Sequence, residues 1–137
     1  MSADAFIMCM DDVLIEAVTT RGSERAIEIE NEIQAIVEHA ESKGMKLGLV
    51  SGMTSINIVV ACETIFDRNF ISRFDAVLPS DARYIGSLGL PGVPPISTAL
   101  TVLGIPAHRA IAVVCEDYDA AEANDVGINE RWLLGCN

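Results

Sequence analysis

Short apolar runs alternate along the chain with stretches in which apolar residues recur at helical spacing. The first run, Phe6–Met10, lies in the segment Ala5–Ala17 and is followed at once by two carboxylates, Asp11 and Asp12. A short apolar run bounded by polar residues indicates a strand buried on both faces, although its periodicity alone also allows a buried helix. Charges that follow such a strand lie where open α/β sheets bind their ligands. Taken alone, the segment is more typical of an ordinary strand with a solvated acidic turn.

The rest of the pattern predicts regular alternation of strands and helices after a loop at Val18–Gly22. The predicted elements are a helix capped by Ser23 and running to about Lys43, strand Lys46–Val50, a helix at roughly Ser55–Ile65, a connector at Asp67–Phe74, strand Asp75–Leu78, a long loop at Pro79–Pro95, a helix at about Ile96–Leu103, strand Ala110–Cys115, a short helix at about Ala120–Asp125 and a last strand within Ile128–Leu134. This order predicts an α/β fold with a three-layer, mostly parallel, doubly wound sheet whose first strand is central. We expect a single domain spanning residues 1–137.

Composition and charge restrict the partners. The chain has 20 acidic and 9 basic residues and a formal net charge of −11, which disfavours nucleic acid and anionic membranes as partners. Half of the residues are apolar and the mean hydropathy is +0.35, so we expect a folded protein. An anionic substrate would need a local cation or a metal ion. Apolar surface beyond what a small monomer buries predicts a homodimer or homotetramer.

The four cysteines are far apart and form no CxxC pair. This spacing favours buried thiols in a reducing compartment over a disulfide framework. The first residues lack the basic start and apolar core of a signal peptide, and no apolar run reaches membrane-spanning length. These features lead us to expect a cytoplasmic protein.

Chemistry-bearing residues follow three of the predicted strands. They are Asp11 and Asp12 after the first strand, Ser51 and Gly52 after the second, and Glu116 and Asp117 after the fourth. Carboxylates that converge from separate strands are costly unless a cation joins them. A hydroxyl and a glycine before a helix N-terminus are typical of anion sites, although such residues are more often simple helix caps. Together the three strand ends indicate Mg²⁺-assisted phosphoryl chemistry.

At this level the sequence resembles the haloacid dehalogenase-like (HAD) hydrolase superfamily over nearly its whole length. The matching segments, in the order of the four family motifs, are Ile7–Ala17, Leu47–Ser51 with Gly52, Phe74–Asp81 with the following loop and helix to Gly104, and Val113–Asp117 through to Gly127. Each motif is loose alone, but four in the correct order are fairly specific. The resemblance implies a hydrolase acting on a phosphorylated or other small-molecule substrate. The interval between the first two motifs has no room for the family's common cap domain.

The resemblance also implies residue roles. Asp11 occupies the position of the general acid/base, Ser51 with Gly52 the phosphate-binding position, and Glu116 and Asp117, with Asp11, the Mg²⁺ site. Three positions depart from the family pattern. Cys9 replaces the nucleophilic Asp, Asp12 replaces a glycine, and the third-motif Lys is absent, which leaves Arg83 as the one cation of the Pro79–Pro95 loop.

These departures leave two functional readings open. A thiol is a poor ligand for Mg²⁺, and neighbouring carboxylates disfavour the thiolate. The first reading is a small, capless, phosphatase-like hydrolase with Cys9 as an atypical nucleophile and Asp11 as acid/base. The alternative is a catalytically inactive protein of the same fold with a binding or assembly role. A thiol-redox role for Cys9 with Cys115 is a weaker third possibility.

Overall fold

The structure, a computed structural model, describes residues 3–80, 95–115 and 117–134, without the side chains of 117–119. Within these ranges the sheet has five strands: β1 (Ala5–Cys9), β2 (Lys46–Val50), β3 (Ala76–Leu78), β4 (Ala110–Val114) and β5 (Glu130–Leu133). They lie in the order β3-β2-β1-β4-β5, and every pairing is parallel. The predicted doubly wound sheet with a central first strand is therefore confirmed.

The described α-helices are α1 (Asp11–Thr19), α2 (Glu24–Ser42), α3 (Ser55–Ile65), α4 (Pro95–Leu103) and α5 (Asp117–Asp125). Short 3₁₀ turns occupy Ile71–Arg73 and Ala107–Arg109. The predictions for α2 and α3 are confirmed, including the cap of α2, where the Ser23 hydroxyl accepts the Ala26 N–H at 3.1 Å. Gly44 follows α2 with a φ of 68°, the left-handed conformation that a C-terminal glycine adopts readily.

The alternation of side chains along β1 separates two cores, one on each face of the sheet. Phe6 and Met8 point into a cluster formed with α1, α2 and α3, whereas Ala5, Ile7 and Cys9 point into a cluster formed with α4 and α5. Because β1 is buried on both faces, all of its residues are apolar, with no alternation of apolar and polar positions. The result is the predicted three-layer α/β arrangement.

Helices α1 and α2 fill the whole interval between β1 and β2. Both contribute buried residues to the core on one face of the sheet. The described part of the chain therefore contains no cap domain, as predicted.

Several boundaries differ from the predictions. The largest difference is α1, which begins directly at Asp11, two residues after β1 ends. The acidic pair Asp11 and Asp12 therefore lies in the first helical turn, where the helix dipole favours negative charge. Helix α5 also starts earlier than predicted, at Asp117 rather than near Ala120.

The predicted Pro79–Pro95 loop lies mainly outside the described residues, as do Glu116 and Cys136. Within the described ranges, no helix combines the length and apolar character needed to cross a bilayer.

Candidate functional site

The carboxyl ends of β1, β2 and β4 meet at one edge of the sheet. The register pairs Cys9 of β1 with Val114 of β4, and Val50 ends β2 beside them. Asp11 opens α1 two residues beyond Cys9, and Ser51 follows Val50. The topology thus brings together three of the predicted site residues from separate parts of the chain.

Asp11 is bound on both carboxylate oxygens by the loop that follows β2. The Ser51 hydroxyl donates to Oδ1 at 2.6 Å, and the Gly52 backbone N–H donates to Oδ2 at 2.8 Å. A Cβ atom on residue 52 would lie 3.4 Å from Oδ2, an ordinary van der Waals contact, so the approach of the carboxylate to this amide does not itself require glycine. Ser51 and Gly52, predicted to bind phosphate, bind Asp11 in this structure.

The Ser51 hydroxyl is oriented by a further contact. Its oxygen accepts the Met53 backbone N–H at 3.0 Å. Ser51 is only 8% exposed and is the one buried polar residue among those described. Because buried polar groups need partners, this residue is fixed between Met53 and Asp11.

Cys9 is the last residue of β1, and its side chain is buried at 5% exposure on the α4 and α5 face of the sheet. Its backbone carbonyl accepts a weak hydrogen bond from the Cys115 thiol at 3.5 Å. Cys115, predicted as a strand residue, lies just after β4 and is half-buried.

A pocket of about 180 Å³ opens at this edge of the sheet. It is lined by Cys9, Asp11, Val50, Ser51, Gly52, Pro95 and Glu122. Four of the predicted site residues therefore share one concave surface. The pocket is the size of a small polar group rather than of a whole drug-sized ligand.

Glu122 is a pocket residue that the sequence did not single out. It lies on α5, and its side chain is half-buried. The predicted helix begins near Ala120, whereas the observed helix begins at Asp117, three residues after β4 ends at Val114. Glu122 therefore lies in the second turn of α5, a position that the predicted helix start did not indicate.

Electrostatically, the described lining of the pocket is acidic. It contains the carboxylates of Asp11 and Glu122 and no cationic side chain. Arg83, the predicted phosphate-binding cation, lies outside the described residues. Two carboxylates near one small pocket disfavour an entering anion unless a cation compensates.

The implied Mg²⁺ site can be tested against the donors that the structure describes. Both oxygens of Asp11 already accept hydrogen bonds, and the Cys9 thiol is a soft ligand. No group of three His, Cys, Asp or Glu side chains suited to a metal occurs in the described ranges. These residues do not by themselves fit Mg²⁺. Glu116 and the side chain of Asp117 lie outside the description, so the ligand set of Asp11, Glu116 and Asp117 stays a prediction.

The sequence matches no protein-family profile and no curated protein. Solved structures do resemble the fold. The chain matches CbbY from Rhodobacter sphaeroides, solved with phosphate, at a TM-score of 0.63 and 12% identity, covering 93% of this chain and 84% of that one. It matches a HAD-superfamily hydrolase of subfamily IA from Geobacter sulfurreducens PCA at 0.62 and 13% identity, covering 98% and 96%.

A third similar structure is the core domain of a proposed phosphoglycolate phosphatase from Streptococcus pneumoniae TIGR4. Its TM-score is 0.59 at 15% identity, with coverage of 100% of this chain and 85% of that one. The chain therefore has the HAD-like fold, as its motifs predicted. At these identities the similarity defines the fold, and the chemistry has to be argued from the site.

Proposed function

We propose that the protein is a small HAD-like hydrolase that cleaves phosphoryl or related esters in the pocket at the carboxyl edge of the sheet. The observation that carries the proposal is the convergence of a thiol, a fixed carboxylate and a hydroxyl on one pocket. Cys9, Asp11 and Ser51 come from the ends of two neighbouring strands and line the same concave surface. In open α/β folds this edge is the usual ligand site.

In the proposed reaction, Cys9 is the nucleophile and Asp11 moves the protons. The thiol proton passes to the Asp11 carboxylate, the sulfur attacks phosphorus, and the phosphorus–oxygen bond to the leaving group breaks. Asp11 gives the proton to the departing oxygen. A water molecule then attacks the S-phosphorylated cysteine and gives its proton to Asp11, which returns it to the leaving sulfur. Thiol and carboxylate are both regenerated.

The geometry supports Asp11 in this role because its side chain lines the same pocket as Cys9. Two hydrogen bonds from Ser51 and Gly52 hold its carboxylate at the pocket. A positioned acid/base contributes roughly 10²–10⁴-fold to the rate of such reactions. When Mg²⁺ is bound to a site of this kind, it neutralises charge on the transferring group. The proposed steps do not require Mg²⁺, because the donors that the structure describes do not fit this ion.

Turnover of an aryl phosphate by purified variants tests the proposal. Cys9→Ser and Asp11→Asn should each lower kcat by at least about 10²-fold, since each removes a group that takes part in bond breaking. Cys62→Ser is the matched control, because Cys62 is a buried cysteine of the opposite core and is not part of the described pocket lining. Equal turnover by the unmodified protein and Cys9→Ala would remove Cys9 from the mechanism.

The alternative function, a non-catalytic binding or assembly role, is favoured by one observation. Ser51 and Gly52 are engaged by Asp11, and the described pocket lining carries no cation. On this alternative, the unmodified protein is inert to aryl phosphates in the presence and absence of Mg²⁺. Restoring the family nucleophile with Cys9→Asp would then produce slight activity at best, because the third-motif Lys is still missing.

A further inference from the structure

The loop after β2 holds a pair of donors aimed at one anion. The Ser51 hydroxyl and the Gly52 amide reach the two oxygens of a single carboxylate, at 2.6 and 2.8 Å. A hydroxyl and a backbone amide side by side are also suitable donors for two oxygens of a phosphoryl group. In this structure both donors are bound to an anion supplied by the chain itself, Asp11.

The hydroxyl proton of Ser51 cannot serve two anions at once. A serine hydroxyl has one proton to donate, and here Met53 N–H occupies a lone pair of the same oxygen at 3.0 Å. Ser51 is almost completely buried, so solvent offers it few alternative arrangements. A phosphoryl oxygen that takes the Ser51 proton must therefore release Asp11 Oδ1.

Charge acts in the same direction. An entering phosphoryl group would meet the Asp11 carboxylate at the donors, and Glu122 also lines the pocket. Like charges in one small pocket raise the cost of binding an anion. Removal of the Asp11 carboxylate would therefore both free the donors and lower the repulsion.

We propose that Asp11 is an autoinhibitory anion that occupies the Ser51–Gly52 donor pair and that a phosphoryl group must displace. The inference rests on the proposed function, because it takes these donors as the phosphate-binding groups. Phosphate can bind only to molecules in which Asp11 has released the Ser51–Gly52 donor pair. The apparent affinity for phosphate is therefore the intrinsic affinity multiplied by the fraction of such molecules. Displacement also allows Asp11 to act as the acid/base, since the released carboxylate is then available for proton transfer in the pocket.

The test is the Kd of inorganic phosphate, measured by titration calorimetry without metal and again with Mg²⁺. Asp11→Ala should bind phosphate about tenfold or more tightly than the unmodified protein, because a hydrogen bond to a charged group is worth at least that factor. Asp12→Ala is the matched control. It removes the same charge from the next residue, which is exposed and does not line the pocket, and it should change Kd by less than about twofold.

Two further variants identify the donors and guard against misfolding. Adding Ser51→Ala to Asp11→Ala should abolish most of the gain, because it deletes one of the freed donors. Asp11→Asn keeps the size of the side chain and loses its charge, so it should show a smaller gain in the same direction. Circular dichroism of each variant confirms the fold.

The proposal is overturned if the folded Asp11 variants bind phosphate no more tightly than the unmodified protein, or if Asp12→Ala gains as much as Asp11→Ala. Failure of the proposed function is a separate result. Absence of turnover in the unmodified protein, together with tighter phosphate binding by Asp11→Ala, would reject the hydrolase and leave the autoinhibitory contact in place.

Discussion

Asp11 shows at the residue scale how far the sequence reaches. Its position after an apolar run, together with Ser51 after the next strand, was sufficient to place both at one edge of the sheet. The sequence did not predict that they bind each other, since that depends on side-chain rotamers and on the loop geometry at Gly52. Glu122 was missed for a related reason, because its place in the pocket depends on where α5 begins.

The cysteines give a prediction at the same scale. Burial raises the pKa of the Cys62 thiol to about 11, so little of it is thiolate near neutral pH. Cys9 is 5% exposed and lines the pocket, whereas Cys62 is completely buried in the core. We predict that iodoacetamide alkylates Cys9 faster than Cys62 in the folded protein, because reactivity follows access and thiolate fraction. Peptide mass spectrometry over a time course measures both rates, and equal rates, or faster labelling of Cys62, would contradict the assignment.

At the scale of elements, most boundaries followed from periodicity and caps. The α2 helix illustrates this, because its apolar face and the Ser23 cap are both visible in the sequence. The start of α1 was not predicted, since Asp11 and Asp12 also fit an acidic turn after a strand. The helix dipole and the packing of Val13, Leu14 and Ala17 into the core decide in favour of a helix.

Helix α2 offers a matched pair for a stability prediction. Ile33 is completely buried in the core, whereas Ile27 on the same helix is 50% exposed. Ile33→Ala should lower the free energy of unfolding by about 2–5 kcal/mol, through lost burial and the cavity left behind. Ile27→Ala should cost less than about 1 kcal/mol. Urea denaturation measures both, and similar costs for the two variants would show that α2 does not pack as described.

A pH prediction concerns the segment that leads into β1. Asp4 forms an ion pair with Arg109, in which the Arg109 Nη2 atom lies 3.0 Å from Asp4 Oδ1. The backbone N–H of Asp4 also donates a hydrogen bond to the Arg109 carbonyl oxygen, at 2.7 Å. Hydrogen bonding from Arg109 lowers the pKa of Asp4 below its ordinary value. Because the folded-state pKa is the lower one, the stabilisation is present above the unfolded pKa of about 4 and is lost as the pH falls through the folded value.

Thermal unfolding of Asp4→Asn and of the unmodified protein checks this dependence. The Tm difference between them should be small, because both side chains of the pair are partly exposed to solvent, and it should shrink as the pH falls from about 6 to about 3. A difference that stays constant or grows on acidification would show that the carboxylate charge is not what stabilises this contact.

For the whole molecule, the fold class was predictable because four motifs occurred in the correct order along an alternating α/β pattern. The chemistry of the site was less predictable from the sequence. The acidic composition was visible, but which carboxylates line the pocket depends on the topology, and the predicted cation Arg83 and metal ligand Glu116 lie outside the described residues. A common fold therefore constrains where the site lies more strongly than what it does.

Association of copies is a prediction at this scale. Helix α3 exposes three apolar side chains, Ile56, Val59 and Val60, along one face. Since exposed apolar groups of this kind are costly in water, we predict a homodimer or homotetramer in solution. Light scattering at micromolar concentration measures the mass. The mass of a single chain would contradict the prediction. If the protein has the mass of two or four chains and Val60→Lys lowers that mass, the interface lies at α3.

The most direct test of the proposed hydrolase is the capture of its covalent intermediate. The protein is mixed with an aryl phosphate, quenched in the steady state under conditions that preserve a phosphorus–sulfur bond, and digested for mass spectrometry. The account predicts one phosphoryl group on the peptide that carries Cys9, present in the unmodified protein and absent in Cys9→Ser. The account would be contradicted if the protein releases product without an adduct on Cys9 and Cys9→Ala releases product at the same rate.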